Sequence, residues 1–292
     1  LFTMYKGRIR FDVPMLWTVG FMFTFVIGGM TGVLLAVPPA DFVLHNSLFL
    51  VAHFHNVIIG GVVFGLFAGM VYWFPKAFGF KLDEFWGKVS FWCWLVGFWL
   101  AFTPLYIMGL MGITRRLSQF EDTSLSLFFI IAAVGAALVG AGILAFLMSI
   151  AVAVKNRKKL ADTTGDPWNG RTLEWATSSP PPSYNFAFTP VIHEIDAWND
   201  MKKHGYQRPT TGFVPIHMPK NTGAGVVLSA ISVVLAFGLV WHIWWLAGVS
   251  FVGLIVAAIW HTFNYDREFY IPAQEVTDTE DARTRALAQQ AL

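Results

Sequence analysis

Residues 42–74 read FVLHNSLFLVAHFHNVIIGGVVFGLFAGMVYWF, a run of 33 residues without a single Asp, Glu, Lys or Arg. As an α-helix this run would reach about 50 Å, which exceeds the ~30 Å hydrocarbon core of a bilayer. Three histidines interrupt it: His45, His53 and His55. Because ionisable side chains are costly inside a membrane, such residues are candidates for function. The run therefore predicts a membrane-spanning helix that carries a functional site.

The spacing of His53 and His55 indicates two centres rather than one. Residues two apart on an α-helix point about 200° apart, so the two imidazoles cannot chelate one metal together. One histidine on each side predicts two separate centres that flank the helix, with Phe54 between them. Neutral imidazole is a standard axial ligand of haem iron. The alternative is that both are buried histidines that hydrogen-bond to neighbouring helices.

The composition is that of an integral membrane protein. The chain has 292 residues, of which 55% are hydrophobic and 13% charged, with a mean hydropathy of +0.56. Soluble domains carry about 25% charged residues. The net charge of +2 gives no reason to expect nucleic acid as a partner. The single cysteine, Cys93, excludes an intrachain disulfide.

Five charge-free runs predict the membrane-spanning part of the chain: residues 13–35, 42–74, 89–113, 125–154 and 223–262. Each of the first four has the length of one span. The last is 40 residues long, and the tryptophans at 241, 244 and 245 predict a hairpin turn near its middle. We therefore expect an all-α, polytopic transmembrane bundle with about six helices. The expected division is 1–154 for the helices that carry the histidines, 155–222 for a cytoplasmic loop, 223–262 for a transmembrane hairpin and 263–292 for a cytoplasmic tail.

Basic residues predict the orientation of these spans. They cluster in three segments that alternate with loops poor in Lys and Arg: Lys6, Arg8 and Arg10; Lys76, Lys81 and Lys88; and Lys155, Arg157, Lys158 and Lys159. Because Lys and Arg are enriched in cytoplasmic loops, these three segments should be cytoplasmic. The loop with Asp41 and the turn at Trp241 then face outward.

Arg115 and Arg116 break this pattern, since the alternation places their short loop outside. Guanidinium groups suit carboxylates in bidentate geometry, so two adjacent arginines there require an anionic partner. A haem bound at His53 could direct its propionates toward them. The alternative is a simple exception to a statistical rule.

Several motifs of the chain resemble those of a known protein family. The motifs that carry this resemblance are His45-Asn46-Ser47, Val51-Ala52-His53-Phe54-His55-Asn56, Thr114-Arg115-Arg116, Gly165-Asp166-Pro167-Trp168 and Thr172-Leu173-Glu174-Trp175-Ala176-Thr177. They resemble subunit I of the haem–copper terminal oxidases, and most of all its bo-type ubiquinol oxidase branch. The resemblance extends along nearly the whole chain and covers about the C-terminal half of that subunit. Because the chain also lacks a starting Met, we expect a fragment.

The resemblance implies a role for each residue of the histidine motif. His53 would be the proximal ligand of the high-spin haem, of o or a related type, where oxygen binds, and thus the catalytic residue. His55 would be one of two axial ligands of the low-spin haem, for which the b type is expected. Phe54 would lie between the haems on an electron route.

The same resemblance assigns the polar residues around that helix. Arg115 and Arg116 would bind haem propionates, with His45 and Asp41 near the same cluster. In the cytochrome c oxidase branch an Asp follows the position of His45 and helps to bind magnesium. Asn46 stands there instead, which argues against magnesium and favours quinol.

The implied activity is that of a proton-translocating ubiquinol oxidase in the bacterial cytoplasmic (inner) membrane. Electrons would pass from ubiquinol through the low-spin haem to the high-spin haem and copper B, where dioxygen becomes water. The copper ligands would lie outside this chain, in the remaining N-terminal half of subunit I. Subunits II, III and IV and membrane lipid are the other expected partners. The alternatives are a cytochrome c oxidase subunit I and a proton-coupled transporter with a histidine relay.

Overall fold

The computed structural model describes residues 2, 4–7, 9–119, 123–205, 209 and 212–290, and only the backbone of 286–290. The chain divides into two compact units. One spans residues 1–181 with 195–200, and the other spans 182–194 with 201–292. Arg8, one of the basic residues used to predict orientation, lies outside the described residues.

The first unit consists of apolar helices joined by short loops. They are α1 (Val13–Leu35), α2 (Pro38–Leu44), α3 (Leu48–His55), a π-helical segment (Asn56–Val63), α4 (Phe64–Phe78), α5 (Glu84–Leu110) and α6 (Ser126–Lys155). Short 3₁₀ turns occupy Thr123–Leu125 and Leu173–Ala176. A further short helix, α7, covers Ala197–His204, and the division between the units falls within it, after Asp200. The helix starts follow from local sequence. Pro14 opens the first turn of α1, and the Asp83 carboxylate accepts a hydrogen bond from the backbone N–H of Trp86 at 2.9 Å.

The histidine-bearing span begins later than the sequence predicted. The expectation of a helix from Phe42 onward was wrong, because α2 ends at Leu44 and α3 begins at Leu48. Ser47 caps the new start, since its hydroxyl accepts a hydrogen bond from the backbone N–H of Phe49 at 3.1 Å. His45 therefore lies in the break before the span and not inside it. From Leu48 the span continues without interruption to Phe78.

α1 packs closely along this span. Three close approaches show that the two run antiparallel: Gly32 to His53, Gly28 to Asn56, and Thr24 to Gly60. A Cβ on Gly28 would lie 3.1 Å from the Cβ of Asn56, and one on Gly60 would overlap the Thr24 side chain. The glycines thus allow the helix backbones to approach each other, as in other membrane helix pairs.

A buried tryptophan packs between the same helices deeper in the unit. Trp17 of α1 is fully buried and packs on Phe64, Phe67 and Phe91, with ring centroids 5.2, 4.7 and 5.3 Å away. Two of these rings meet it edge to face, a favourable arrangement for aromatic pairs. The contacts connect α1 with α4 and α5, so the histidine helix is held from two sides.

α5 and α6 form the other close helix pair. A Cβ on Gly135 would overlap the backbone nitrogen of Ala101, and the hydroxyl of Ser90 donates to the carbonyl of Gly142 at 2.8 Å. The order of these contacts makes the pair antiparallel. α5 also meets α3, because Gly109 lies directly against the backbone of Phe49.

Residues 155–181 fold back on the end of α4. The ammonium group of Lys76 is buried and donates to the carbonyl oxygens of Gly165, Thr177 and Ser178 at 2.8, 2.9 and 3.2 Å. The indole N–H of Trp168 donates to the carbonyl of Tyr72 at 2.8 Å. This segment is therefore ordered although it contains little regular structure.

The second unit contains a helical hairpin closed by a small ribbon. α8 (Ala224–Val240) packs against α9 (Trp244–Thr262), and His242 in the turn has a φ of +55°. The turn between α8 and α9 lies at the tryptophans, from Trp241 to Ile243. Two strands that the sequence did not predict, β1 (Ile216–Pro219) and β2 (Glu268–Ile271), pair antiparallel, and α10 (Ala273–Gln290) follows.

Within the described residues, five helical segments are long and apolar enough to cross a membrane: Val13–Leu35, Leu48–Phe78, Glu84–Leu110, Thr123–Lys155 and Trp244–Thr262. α8 has 17 residues and is the shorter, sixth apolar helix. The prediction of a polytopic helical bundle is confirmed, and the chain is a multi-pass membrane protein.

Candidate functional site

His53 lies in α3 with its ring against α1. Its Nδ1 is 3.1 Å from the carbonyl oxygen of Gly28 and 3.0 Å from the hydroxyl oxygen of Thr31. Gly32 leaves room for the ring, because a Cβ at that position would lie 2.8 Å from His53 Cε1. α1 thus forms a fitted cradle for this imidazole.

His55 meets a different helix. Its Nδ1 is 2.7 Å from the carbonyl oxygen of Val51 in its own helix, and its ring stacks on Phe102 of α5 with centroids 4.5 Å apart. The ring of Phe54 lies 4.4 Å from that of His55, centroid to centroid, at 31°. The two imidazoles therefore contact α1 and α5 respectively, although they are only two residues apart.

The hydrogen bonds determine which ring nitrogen carries the proton. A backbone carbonyl can only accept, so Nδ1 of both His53 and His55 must be the N–H donor. The lone pair of each neutral imidazole is then on Nε2. Neither Nε2 has a hydrogen-bond partner among the described residues. An imidazole with Nδ1–H bonded to a carbonyl and Nε2 open is the usual arrangement of a histidine that ligates a metal.

A polar network that the sequence reasoning missed supports His53. The Asn56 side-chain amide donates to the hydroxyl oxygen of Tyr106 at 2.7 Å, and that hydroxyl lies 3.1 Å from the hydroxyl oxygen of Thr31. The Thr31 hydroxyl donates to the Gly28 carbonyl at 2.8 Å. Asn56 is fully buried. Polar side chains in charge-free runs were the only sequence signal for this network.

Arg115 and Arg116 lie at the end of the bundle where α3 begins. The backbone N–H of Arg115 donates to the carbonyl of Asn46 at 2.9 Å, and Leu48 N–H donates to the carbonyl of Ile113 at 2.9 Å. Arg116 has a φ of +68°, so the loop turns sharply there. The Nε of Arg115 is buried without a hydrogen-bond partner among the described residues. Such an atom is costly to bury alone and suits an anionic acceptor.

His45 and Asp41 are less closely engaged. The His45 ring is exposed, and its Nδ1 lies 2.8 Å from the backbone carbonyl oxygen of Asp41. His45 lies in the break between α2 and α3, next to Asn46, whose carbonyl accepts from the arginine loop, whereas Asp41 lies one turn earlier in α2. In the described part of the chain, no group of three or more His, Cys, Asp or Glu side chains could hold a metal ion. A haem iron held by one imidazole does not require such a group.

Comparison with known proteins identifies the family. The family model described as cytochrome c and quinol oxidase polypeptide I matches residues 1–180, which is more than half of the chain. The chain belongs to this oxidase family. The family resemblance inferred from the histidine and arginine motifs is thereby confirmed.

Relatives within this oxidase family are similar over nearly the whole chain. Ubiquinol oxidase subunit 1 of Acetobacter aceti is 54% identical over 296 residues, covering 100% of this chain and 45% of that protein. Cytochrome bo(3) ubiquinol oxidase subunit 1 of Buchnera aphidicola is 54% identical, covering 96% and 43%. Probable cytochrome c oxidase subunit 1 of Bradyrhizobium diazoefficiens is 52% identical, covering 94% and 42%. The chain thus spans a little under half the length of these relatives, which are named as single subunits of larger enzymes.

Among solved structures, a heme-copper terminal oxidase dimer is 22% identical, with a TM-score of 0.44 over 48% of this chain and 26% of that chain. This likeness is too limited to add to the family assignment.

Proposed function

We propose that this chain forms the C-terminal part of the catalytic subunit of a proton-pumping ubiquinol oxidase, which oxidises ubiquinol and reduces dioxygen to water. One observation carries the proposal: His53 and His55 contact different helices, and each presents an open Nε2 while its Nδ1–H is bonded to a carbonyl. The names of the ubiquinol oxidase relatives support the reaction class. The proposed location is the bacterial cytoplasmic (inner) membrane.

The two histidines would hold two different haems. His53 would hold the iron of the high-spin haem, of o or a related type, which would supply the oxygen chemistry. His55 would supply one axial ligand of the low-spin haem, of b type, and a histidine outside this chain would supply the other. Phe54 would lie between the two sites.

The residues present fit these groups. The cradle at Gly32 and the carbonyl of Gly28 orient the His53 ring so that Nε2 is the available ligand atom. The buried Nε of Arg115 lacks an acceptor among the described residues, which suits a haem propionate. Arg116 would bind a propionate as well, with His45 and Asp41 beside the same cluster.

Haem and copper, when bound, supply the electron transfer and the oxygen chemistry, whereas the protein supplies ligands, orientation and electrostatics. The copper B ligands, the second axial histidine and the ubiquinol site would belong to the N-terminal half of subunit I. Subunits II, III and IV would complete the enzyme, with membrane lipid around it.

A cytochrome c oxidase is the second candidate, because a relative with that name is 52% identical to this chain. Asn46 argues against it, since the cytochrome c branch is expected to have an Asp there for magnesium. A dinuclear copper centre in subunit II, together with faster oxidation of reduced cytochrome c than of ubiquinol, would identify this alternative.

Optical spectra of the complete complex test the proposal. We expect a reduced-minus-oxidised spectrum with two haems and a carbon monoxide difference spectrum that shows one open iron. His53→Ala should remove the carbon monoxide signal, whereas His55→Ala should remove the low-spin signal.

The control is His217→Ala, which changes an exposed ribbon histidine and should leave both signals intact. Loss of the same single signal in the His53 and His55 variants would contradict the two-site assignment. A colourless wild-type complex would overturn the proposed function and favour a histidine-relay transporter.

A further inference from the structure

The two histidines differ in how their Nδ1–H groups are held. His55 uses the carbonyl of Val51, one turn earlier in its own helix, so α3 alone can form that bond. His53 uses groups from another helix, the Gly28 carbonyl and the Thr31 hydroxyl of α1. The orientation of His53 therefore depends on contacts between helices.

Thr31 is itself held by a third helix. Because the Tyr106 hydroxyl accepts from the Asn56 amide at 2.7 Å, its own proton is available for the Thr31 oxygen 3.1 Å away. The Thr31 hydroxyl donates its own proton to the Gly28 carbonyl at 2.8 Å. The remaining lone pair of the Thr31 oxygen faces Nδ1 of His53 at 3.0 Å. One hydroxyl thus connects α1, α5 and the imidazole.

We propose that Thr31 is a positioning residue for His53, and that its hydroxyl sets how strongly His53 Nε2 donates to the iron it binds. The proposal rests on the proposed function. An acceptor at Nδ1–H increases electron density on the imidazole ring, and groups of this kind change metal affinity 10- to 100-fold in other proteins. Since the Gly28 carbonyl remains when Thr31 is replaced, we expect an effect at the low end of that range.

Resonance Raman spectroscopy of the reduced complete enzyme measures this donation directly through the iron–histidine stretching band. Thr31→Val keeps the shape of the side chain but removes the hydroxyl. We expect the band to move to lower frequency, the midpoint potential of the high-spin haem to rise, and haem loss from that site to be about tenfold faster. The low-spin haem should be unchanged. Thr31→Ser restores a hydroxyl and should restore all three values.

Two further variants separate this role from packing. Thr18→Val makes the same change on α1 where the hydroxyl bonds only to its own helix, at the carbonyl of Pro14, and should leave the band unchanged. Tyr106→Phe removes the donor to the Thr31 oxygen and the acceptor of the Asn56 amide but leaves the Thr31 hydroxyl in place, and should shift the band less than Thr31→Val. An unshifted band in Thr31→Val, an equal shift in Thr31→Ser, or an equal disturbance of the low-spin haem would overturn the proposal. Absence of a high-spin haem in the unmodified enzyme would instead refute the proposed function, before any substitution is made.

Discussion

Replacing Gly32 by alanine tests the cradle that α1 forms around His53. A Cβ there would lie 2.8 Å from His53 Cε1, so the two atoms would have to move apart by about 0.6 Å to reach the 3.4 Å of ordinary contact. The ring cannot retreat freely, because its Nδ1 is held 3.1 Å from the Gly28 carbonyl and 3.0 Å from Thr31. Overpacking costs about 1–3 kcal/mol and a lost hydrogen bond about 0.5–1.5 kcal/mol. A combined cost of about 1.5–4.5 kcal/mol corresponds to roughly 10- to 1,600-fold weaker haem binding at His53.

The assay is the carbon monoxide difference signal of the purified complete enzyme, measured relative to the low-spin haem band. Gly32→Ala should reduce that ratio strongly. Gly29→Ala is the matched control, because it lies on the same helix and a Cβ there has no atom within 4 Å. A full carbon monoxide signal in Gly32→Ala, or an equal loss in Gly29→Ala, would refute the reasoning.

Two other substitutions test the scaffold. Gly135→Ala should separate α5 from α6 and lower the yield and melting temperature of the complex, because its Cβ would overlap the backbone nitrogen of Ala101. Gly140→Ala is the control, since a Cβ there has no atom within 4 Å. Equal yields and melting temperatures in the two variants would contradict the packing described. Lys76→Met should speed backbone hydrogen exchange in residues 155–181, since each carbonyl left without its donor costs roughly 1–3 kcal/mol. Lys88→Met changes an exposed lysine and should leave that exchange unaltered. Equal exchange in these two variants would show that the buried ammonium does not order the loop.

The charge-free runs predicted the membrane spans well because a bilayer selects for long apolar helices. They gave the ends of α1 and α6 to within one residue but misplaced those of the histidine span and of α5, since an absence of charge does not show where a helix starts. The break before Leu48 depends on Ser47 as an N-cap, which a search for apolar residues does not detect. The two strands of the ribbon were missed because four residues of mixed polarity pair only when the α8–α9 hairpin brings them together.

The candidate ligands could be found from the sequence because histidine is rare in a membrane span and the two-residue spacing has a definite geometric meaning. The residues that hold these ligands in place could not be found from the sequence. Thr31 and Tyr106 are 22 and 53 positions away from His53 along the chain, so no local pattern connects them with it. The sequence does not distinguish Gly32 from the other glycines of the chain. Only the short distance from its position to the imidazole of His53 shows that a side chain there would not fit.

The different supports of the two histidines agree with the different tasks proposed for them. In the proposed function a second histidine would help to hold the iron at His55, and the Nδ1–H of His55 is bonded within its own helix, to the carbonyl of Val51. In the proposed function the iron at His53 would have a single protein ligand, so the surroundings of His53 alone would determine the orientation of that imidazole. Those surroundings come from α1, which the glycines bring close to the histidine span. A small displacement of α1 should therefore weaken the oxygen-binding site before it affects the low-spin site.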